Sequence, residues 1–312
     1  MISVVIPVFN RPEKLERAVL SVLGQHELAS DELEIIVVDD TSHVPVALEH
    51  VDPRIRILRH ERNGGPSAAR NTGIRASRGD LIALLDSDDV WLPNKLSRQV
   101  TALRNIEQNQ DSGALIGLVC DFACPDRFSG RLEARSPAPT SDVATLASGC
   151  WYCPGSTLLA RAEVFAQVGP YDERLRRLED LDWAIRFGRL GGRLAVASMT
   201  GAVVAPSNTT NFAAVAAASS LILEKFGADG RQPLDARSMR NLQAYLALER
   251  CAAALGDGQH ATAMSEYMAS LWYKPRLGKQ VCDFGDRKPE TSPDVLAAYA
   301  VISAADSKPR RF

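Results

Sequence analysis

The chain has 312 residues, 46% of them apolar and 24% charged, and a formal net charge of −2. That balance suits one large folded core, or a domain with a smaller appendage. It excludes a polycation built for nucleic acid, and a generally basic surface for anionic lipid. The first apolar run, Ile2 to Ile6, stops at Pro7 without a basic flank, so no signal peptide is expected. No transmembrane segment is expected either, since the apolar stretch Ala213 to Leu223 is far too short to cross a bilayer. The expected location is the cytoplasm, where the six cysteines are thiols by default.

In chain order, Ile2 to Ile6 reads as a buried strand. Asn10-Arg11-Pro12-Glu13 then starts a helix with Pro in its first turn, and Leu15, Ala18, Val19, Val22 and Leu23 form its apolar stripe. A second strand, Leu33 to Val38, ends in Asp39-Asp40. A third, Ile55 to Leu58, leads into Asn63-Gly64-Gly65-Pro66 and a helix to about Arg75. A fourth, Leu81 to Leu85, ends in Asp86-Ser87-Asp88-Asp89, and Pro93 opens another helix. Leu115 to Val119 predicts a strand, and the Pro/Ser/Arg-rich stretch from Pro125 to Pro139 a long surface loop. Ser156 to Leu159 leads into a helix from Ala162 that Gly169-Pro170 breaks. Leu178 to Leu190 is helical in pattern, and Arg193 to Ala197 is a strand. The fold class is therefore α/β, an open and mostly parallel sheet flanked by helices. Beyond about residue 211 the chain becomes Ala/Leu/Glu-rich, with helical runs near 213–226, 236–255, 259–272 and 293–304. The expected organisation is a catalytic domain at 1–210 and a C-terminal helical extension at 211–312.

In an open parallel sheet the carboxyl ends of the strands share one edge, where ligands bind. Asn10, Asp39, Asp40, Asn63 and Asp86 through Asp89 all fall at such ends. Asp86 and Asp88 alternate on extended backbone and can share a target, and two oxygen ligands suit magnesium or manganese. Read alone, the same run is an ordinary polar turn before Trp91-Leu92-Pro93. Asp39 and Asp40 present carboxylates to a ribose or a pyrimidine imide, or cap the following segment. Gly64-Gly65-Pro66 leaves backbone amides free for a phosphate or base at a helix start, with Arg70 one turn in. That run lacks the signatures of a P-loop and of a dinucleotide fingerprint. Glu179-Asp180-Leu181-Asp182 opens a helix, where acids complement the dipole or supply a general base. Cys120, Cys124, Cys150 and Cys153 are four thiols for a zinc ion or, on their apolar surroundings, small core residues. The five histidines form no close-spaced metal pair.

Five segments in order, VVIPVFNR, IIVVDDTS, NGGPSAARNTG, LLDSDDVW and GSTLLARAEVFAQVGPYDERLRRLEDLDWAIRF, resemble the family 2 glycosyltransferases over about residues 1 to 205. The resemblance implies a GT-A fold, a nucleotide-sugar donor, a divalent cation (Mn or Mg) and inversion at the anomeric carbon. It implies that Pro7, Phe9 and Asp39 frame the nucleobase with help from Arg70. Asp86 and Asp88 become the D-x-D element on ribose and metal, and Asp180 of the Glu179-Asp180 pair the catalytic base. Many relatives place a histidine after the last strand as a further metal ligand. Here Ala205 to Thr210 has none, leaving Asn208 or water. Thr41 replaces a common glycine.

The expected function is an inverting transfer from a nucleotide-diphosphate sugar, UDP being the commonest nucleotide, to a hydroxyl of a carbohydrate or lipid-linked acceptor. Polysaccharide or glycoconjugate synthesis is the expected setting. A metal-dependent phosphotransferase would want its Asp at the end of the first strand, where Pro7-Val8-Phe9 stands. A nucleotidyltransferase would want a Gly-rich basic loop there, and a non-catalytic sugar-nucleotide module would not need Asp86, Asp88 and Asp180 intact. The C-terminal helices are left for acceptor, a second copy of the chain, or peripheral contact with a membrane.

Overall fold

The computed structural model describes residues 1–28, 32–109, 113–126, 130–206, 211–275 and 285–306. Among the described residues ten strands form one sheet: β1 (Ile2–Val8), β2 (Leu33–Asp39), β3 (Ile55–Arg59), β4 (Leu81–Leu84), β5 (Val90–Trp91), β6 (Ile116–Pro125), β7 (Leu132–Pro137), β8 (Leu159–Arg161), β9 (Arg193–Val203) and β10 (Gly285–Pro289). The main path runs β10-β7-β6-β8-β4-β1-β2-β3, with β9 pairing β6 and β5. The helices are α1 (Pro12–Leu23), α2 (Gly65–Ala76), α3 (Lys95–Gln108), the single turns α4 (Val143–Leu146) and α5 (Pro154–Thr157), α6 (Ala162–Val168), α7 (Glu179–Arg189), α8 (Phe212–Phe226), α9 (Ala236–Gly256), α10 (His260–Tyr273) and α11 (Pro293–Asp306).

The parallel half is β3-β2-β1-β4, as the continuous apolar runs predict. Alternate side chains of β1 serve opposite faces. Ile2, Val4, Ile6 and Val8 pack with Leu15, Ala18, Val19 and Val22 of α1, while Val5 joins Ile82, Leu84, Trp183 and Phe187 on the other side. Each such fully buried Ile or Leu contributes about 1.5–3 kcal/mol. On that second face α2 lies close to β1 at Gly73, where a Cβ would sit 2.2 Å from Val5 Cγ1. The close approach fixes the helix that carries Arg70.

Beyond the parallel half, β8 lies antiparallel between β4 and β6, β7 folds back on the end of β6, and β9 runs parallel to β6. Three expectations change. The stretch from Pro125 to Pro139 is not all loop, because Leu132–Pro137 pairs with β6 on one side and β10 on the other. Its Pro and Arg content hid a strand that pairs with its neighbour β6 on one side and with the distant β10 on the other. The stretch Ser156 to Leu159, expected only to lead into the helix from Ala162, holds the end of a helical turn, Pro154–Thr157, and the start of β8 at Leu159. The C-terminal segment has its four helices but also a strand, β10, that joins the sheet. There α11 buries Val295 and Ile302 against Val203 and Ala205, and Arg17 of α1 donates to the carbonyls of Val301 and Ile302.

Candidate active site

The carboxyl ends of β1, β2 and β4 meet as one rim. After β1, Phe9 is 43% exposed, and Asn10 turns the chain through a left-handed conformation at φ 55°. Asn10 joins the β2 loop twice: its amide donates to Ser42 Oγ at 2.9 Å, and its Oδ1 accepts from the His43 amide at 2.7 Å. His43 thereby stands beside Phe9, ring centroids 6.1 Å apart.

Asp39 and Asp40 brace this rim from below. Asp39 accepts from the amides of Ser42 and Val46 and pairs with Arg59. Burial pushes its carboxyl up, but the Ser42 and Val46 hydrogen bonds and Arg59 prevail and hold it below the usual range. Asp40 accepts from Gly64 N–H at 2.8 Å and Gly65 N–H at 2.7 Å, and contacts His60 Nδ1 at 2.8 Å. The two glycine amides expected to be free for a phosphate are therefore engaged, because the neighbouring strand end supplies a buried acceptor. Asn63 is held too, donating to the Asp40 carbonyl and accepting from Arg176 at 2.8 Å. Gly65 sits at φ 84°, a left-handed conformation that favours glycine, and a Cβ there would also displace the Arg176 guanidinium, 2.6 Å away.

Past β4 the acidic run divides into three environments. Asp86 is 36% exposed; its Oδ1 accepts from Arg70 at 2.8 Å and its amide donates to Ser156 Oγ at 3.1 Å. Asp88, 18% exposed, pairs with Arg11 at 2.5 Å. Burial raises its carboxyl above the usual range against the pull of Arg11, and Asp86 adds to the rise. Asp89 is buried, accepting from Ser156 Oγ and from the Ala205 amide at 2.8 Å, so it ties the rim to the residues after β9. Burial, with Asp88 and Asp86 nearby, pushes it well above the carboxylate range. Ser156 carries no signal of its own in the sequence, yet it joins Asp86, Asp89 and, through its carbonyl, Trp91 Nε1 at 2.7 Å. Gly155 lets it approach: a Cβ there would lie 2.3 Å from Asp86 Oδ2.

The acids at the start of α7 reach the same place through α2. Asn71 bonds the backbone of Tyr171 from both ends of its amide, and Ser67 Oγ donates to the Leu175 carbonyl at 2.9 Å. Leu178, left-handed at φ 64°, then turns the chain into α7, a conformation that costs a non-glycine residue about 1–3 kcal/mol. Glu179 accepts from Arg70 at 2.6 Å, and Asp180 Oδ1 lies 3.8 Å from the same nitrogen. Burial raises Asp180 to about 7; Arg70 opposes the rise, and Glu179 and Asp86 add to it. Among the described residues its buried Oδ1 has no hydrogen-bond partner. Burial disfavours the charge of Arg70, but Asp180, Asp86 and Glu179 outweigh it and keep the guanidinium protonated. Asp182 is different: fully buried, it is bonded to Arg186 and Lys225.

Asp86, Asp88, Arg70, Glu179 and Asp180 are thus brought together, while Asp39, Asp40 and Asn63 organise the adjoining loops. Asn208 lies outside the described residues. Cys120 and Cys124 are buried, and Cys150 and Cys153 are half-buried. Among the described residues no group of three or more His, Cys, Asp or Glu is arranged to hold a metal.

Residues 3–169, more than half of the chain, match the model of glycosyl transferase family 2, so the chain belongs to that family and is a glycosyltransferase. The succinoglycan biosynthesis protein ExoO of Rhizobium meliloti (strain 1021) is 29% identical over 269 residues, 78% of this chain and 74% of that protein. An uncharacterized glycosyltransferase of Haemophilus influenzae is 30% identical over 192 residues, 60% of this chain and 61% of its own length. Among solved structures, S. aureus TarS 1-349 in complex with UDP-GlcNAc aligns with a TM-score of 0.56 at 16% identity, covering 100% of this chain and 93% of that one. The shared architecture is the GT-A fold. Among the described residues no helix is long and apolar enough to cross a membrane.

Proposed function

We propose that this enzyme moves a sugar from a nucleotide-diphosphate donor, first of all a UDP-sugar, to an acceptor hydroxyl with inversion at the anomeric carbon. One observation carries the reading: a single buried guanidinium, Arg70, bridges the rim acid Asp86 to Glu179 and Asp180. A carboxyl raised to about 7 is suited to general base work near neutral pH. Asp180 takes the proton of the acceptor hydroxyl as its oxygen attacks the anomeric carbon, opposite the departing nucleotide diphosphate. Phe9 and His43 offer rings to a nucleobase at the outer rim, and Asn10 holds the two loops in register.

The residues present fit a hard divalent cation, Mn²⁺ or Mg²⁺. Asp86 and Asp88 give two carboxylates two positions apart, and a cation would offset the burial and the neighbouring Asp86 that raise Asp88. Asp88 and Asp86 would hold it, and when bound it would neutralise charge on the leaving diphosphate.

The setting we favour is cytoplasmic synthesis of a cell-surface polysaccharide or glycoconjugate, on a carbohydrate or lipid-linked acceptor. Similarity to ExoO, a succinoglycan biosynthesis protein, over 78% of the chain supports the polysaccharide part of that reading. A thermal-shift screen of nucleoside diphosphates and their sugars, with and without Mn²⁺, tests the donor, because ligand binding raises apparent stability. UDP with Mn²⁺ should raise the melting temperature, and Asp88→Ala should remove the Mn²⁺-dependent part. Absence of a shift with every nucleotide would refute the donor assignment.

A further inference from the structure

Arg11 is placed where helix physics does not favour it. It is the N-cap of α1 and makes no side-chain capping bond. A helix N-terminus carries about half a positive charge, so a guanidinium there needs an anion to hold it. That anion is Asp88: Nη1 lies 2.5 Å from Oδ2, the carboxylate 18% exposed and the guanidinium 37%. Lys14, one turn further on, adds its field at the same carboxylate. Two cationic residues at a helix start therefore face the acid that the proposed function assigns to the divalent cation.

We propose that Arg11 is a tethered counter-ion that occupies Asp88 until the donor arrives, making cation and nucleotide diphosphate bind as one unit. The inference rests on the assignment of Asp88 as a cation ligand. A cation arriving alone must break the Arg11–Asp88 pair and leave the guanidinium over the α1 N-terminus without the carboxylate that held it. When a diphosphate arrives with it, the released guanidinium and the helix N-terminus gain an anionic partner. By linkage each ligand then raises the affinity of the other by the same factor. A brace that merely joined α1 to the β4–β5 turn would leave cation affinity unchanged or lower when removed.

Mn²⁺ alone is titrated into the wild-type protein, Arg11→Gln and Asp88→Asn, following free Mn²⁺ by electron paramagnetic resonance, and the titrations are repeated with UDP present. Arg11→Gln should bind Mn²⁺ alone about 10-fold more tightly than wild type, a typical size for such linkage. UDP should then tighten Mn²⁺ binding much less in that variant than in wild type. Removing a positive charge from the N-cap favours α1, so the variant should fold; Arg11→Met is the second variant should Gln not. Unchanged or weaker Mn²⁺ binding in both Arg11 variants, with binding lost in Asp88→Asn, overturns the counter-ion and leaves the cation ligand standing. Unchanged Mn²⁺ binding in Asp88→Asn overturns both.

Discussion

Arg70 Nη1 stands 2.6 Å from Glu179 Oε1 and 3.8 Å from Asp180 Oδ1, while Nη2 holds Asp86 at 2.8 Å. One nearly inaccessible cation therefore sets the charge balance of three acids from two distant parts of the chain. Glu179 is the tighter partner, which leaves Asp180 the acid with an uncommitted oxygen.

Asp180→Asn should cut turnover by about 10² to 10⁴ while leaving UDP affinity nearly intact. In the wild type the base works deprotonated, so kcat/KM should climb with pH and level off above about 7. Steady-state rates paired with calorimetry check both points, and wild-type turnover in the variant would remove the base assignment.

The same carboxyl has a stability consequence. Its folded value, about 7, lies above the ordinary 3.8. Between these values the native state binds more protons than the unfolded one, so this group's contribution is present below 3.8 and lost as pH rises toward 7. Asp180→Asn lacks that loss. Its melting temperature relative to wild type should rise between pH 4.5 and pH 8, by about 2–4 °C for each kcal/mol relieved.

Arg70→Met should destabilise the fold by about 3–5 kcal/mol in urea titrations, because it leaves buried carboxylates uncompensated. Asp180 loses its main opposing cation, so any residual activity should require a higher pH than wild type. Arg70→Lys should not restore the enzyme, because one ammonium cannot serve Asp86 and Glu179 through separate nitrogens as the fork does.

Gly155→Ala puts a methyl where Asp86 Oδ2 now lies, 2.3 Å away. Asp86 must swing off Arg70, and UDP affinity with Mn²⁺ should fall about tenfold, roughly 1.4 kcal/mol. Calorimetry with a melting curve on the same sample checks that the loss is local.

Asp40→Ala removes the acceptor for the amides of Gly64 and Gly65. The Gly65 donor is buried and the Gly64 donor partly so, and a buried donor left unsatisfied costs about 1–3 kcal/mol. A corresponding drop in unfolding free energy is expected, together with weaker nucleotide binding as the Asn63–Gly65 turn loosens.

Much of this was legible in the chain. β1, β2 and β4 are buried on both faces and read as apolar runs, and the helix starts at Pro12 and Pro66 stand where proline puts them. Asp86, Asp88 and Asp180 stand out in the sequence because a strand end or a helix start is a positional signal. Ser156, His60 and Arg11 do not, since each acquires its role from a partner on another segment. The Gly64-Gly65 amides were misjudged for the same reason: a turn's composition announces free donors, not the acid that will reach them. β7 and β10 escaped because strand pairing depends more on neighbours than on residue preference.

The pairing of β10 with β7 also bears on how the molecule is made. Gly285 pairs with Pro137, so an edge of the sheet is completed by a segment synthesised long afterwards. At about 5–20 residues per second, that delay is about 7–30 s. Throughout it β7 carries unpaired N–H and C=O groups along its outer side, open to any passing strand. Successful production of this enzyme should therefore depend on what shields that edge on the ribosome, and slow translation should lower its soluble yield.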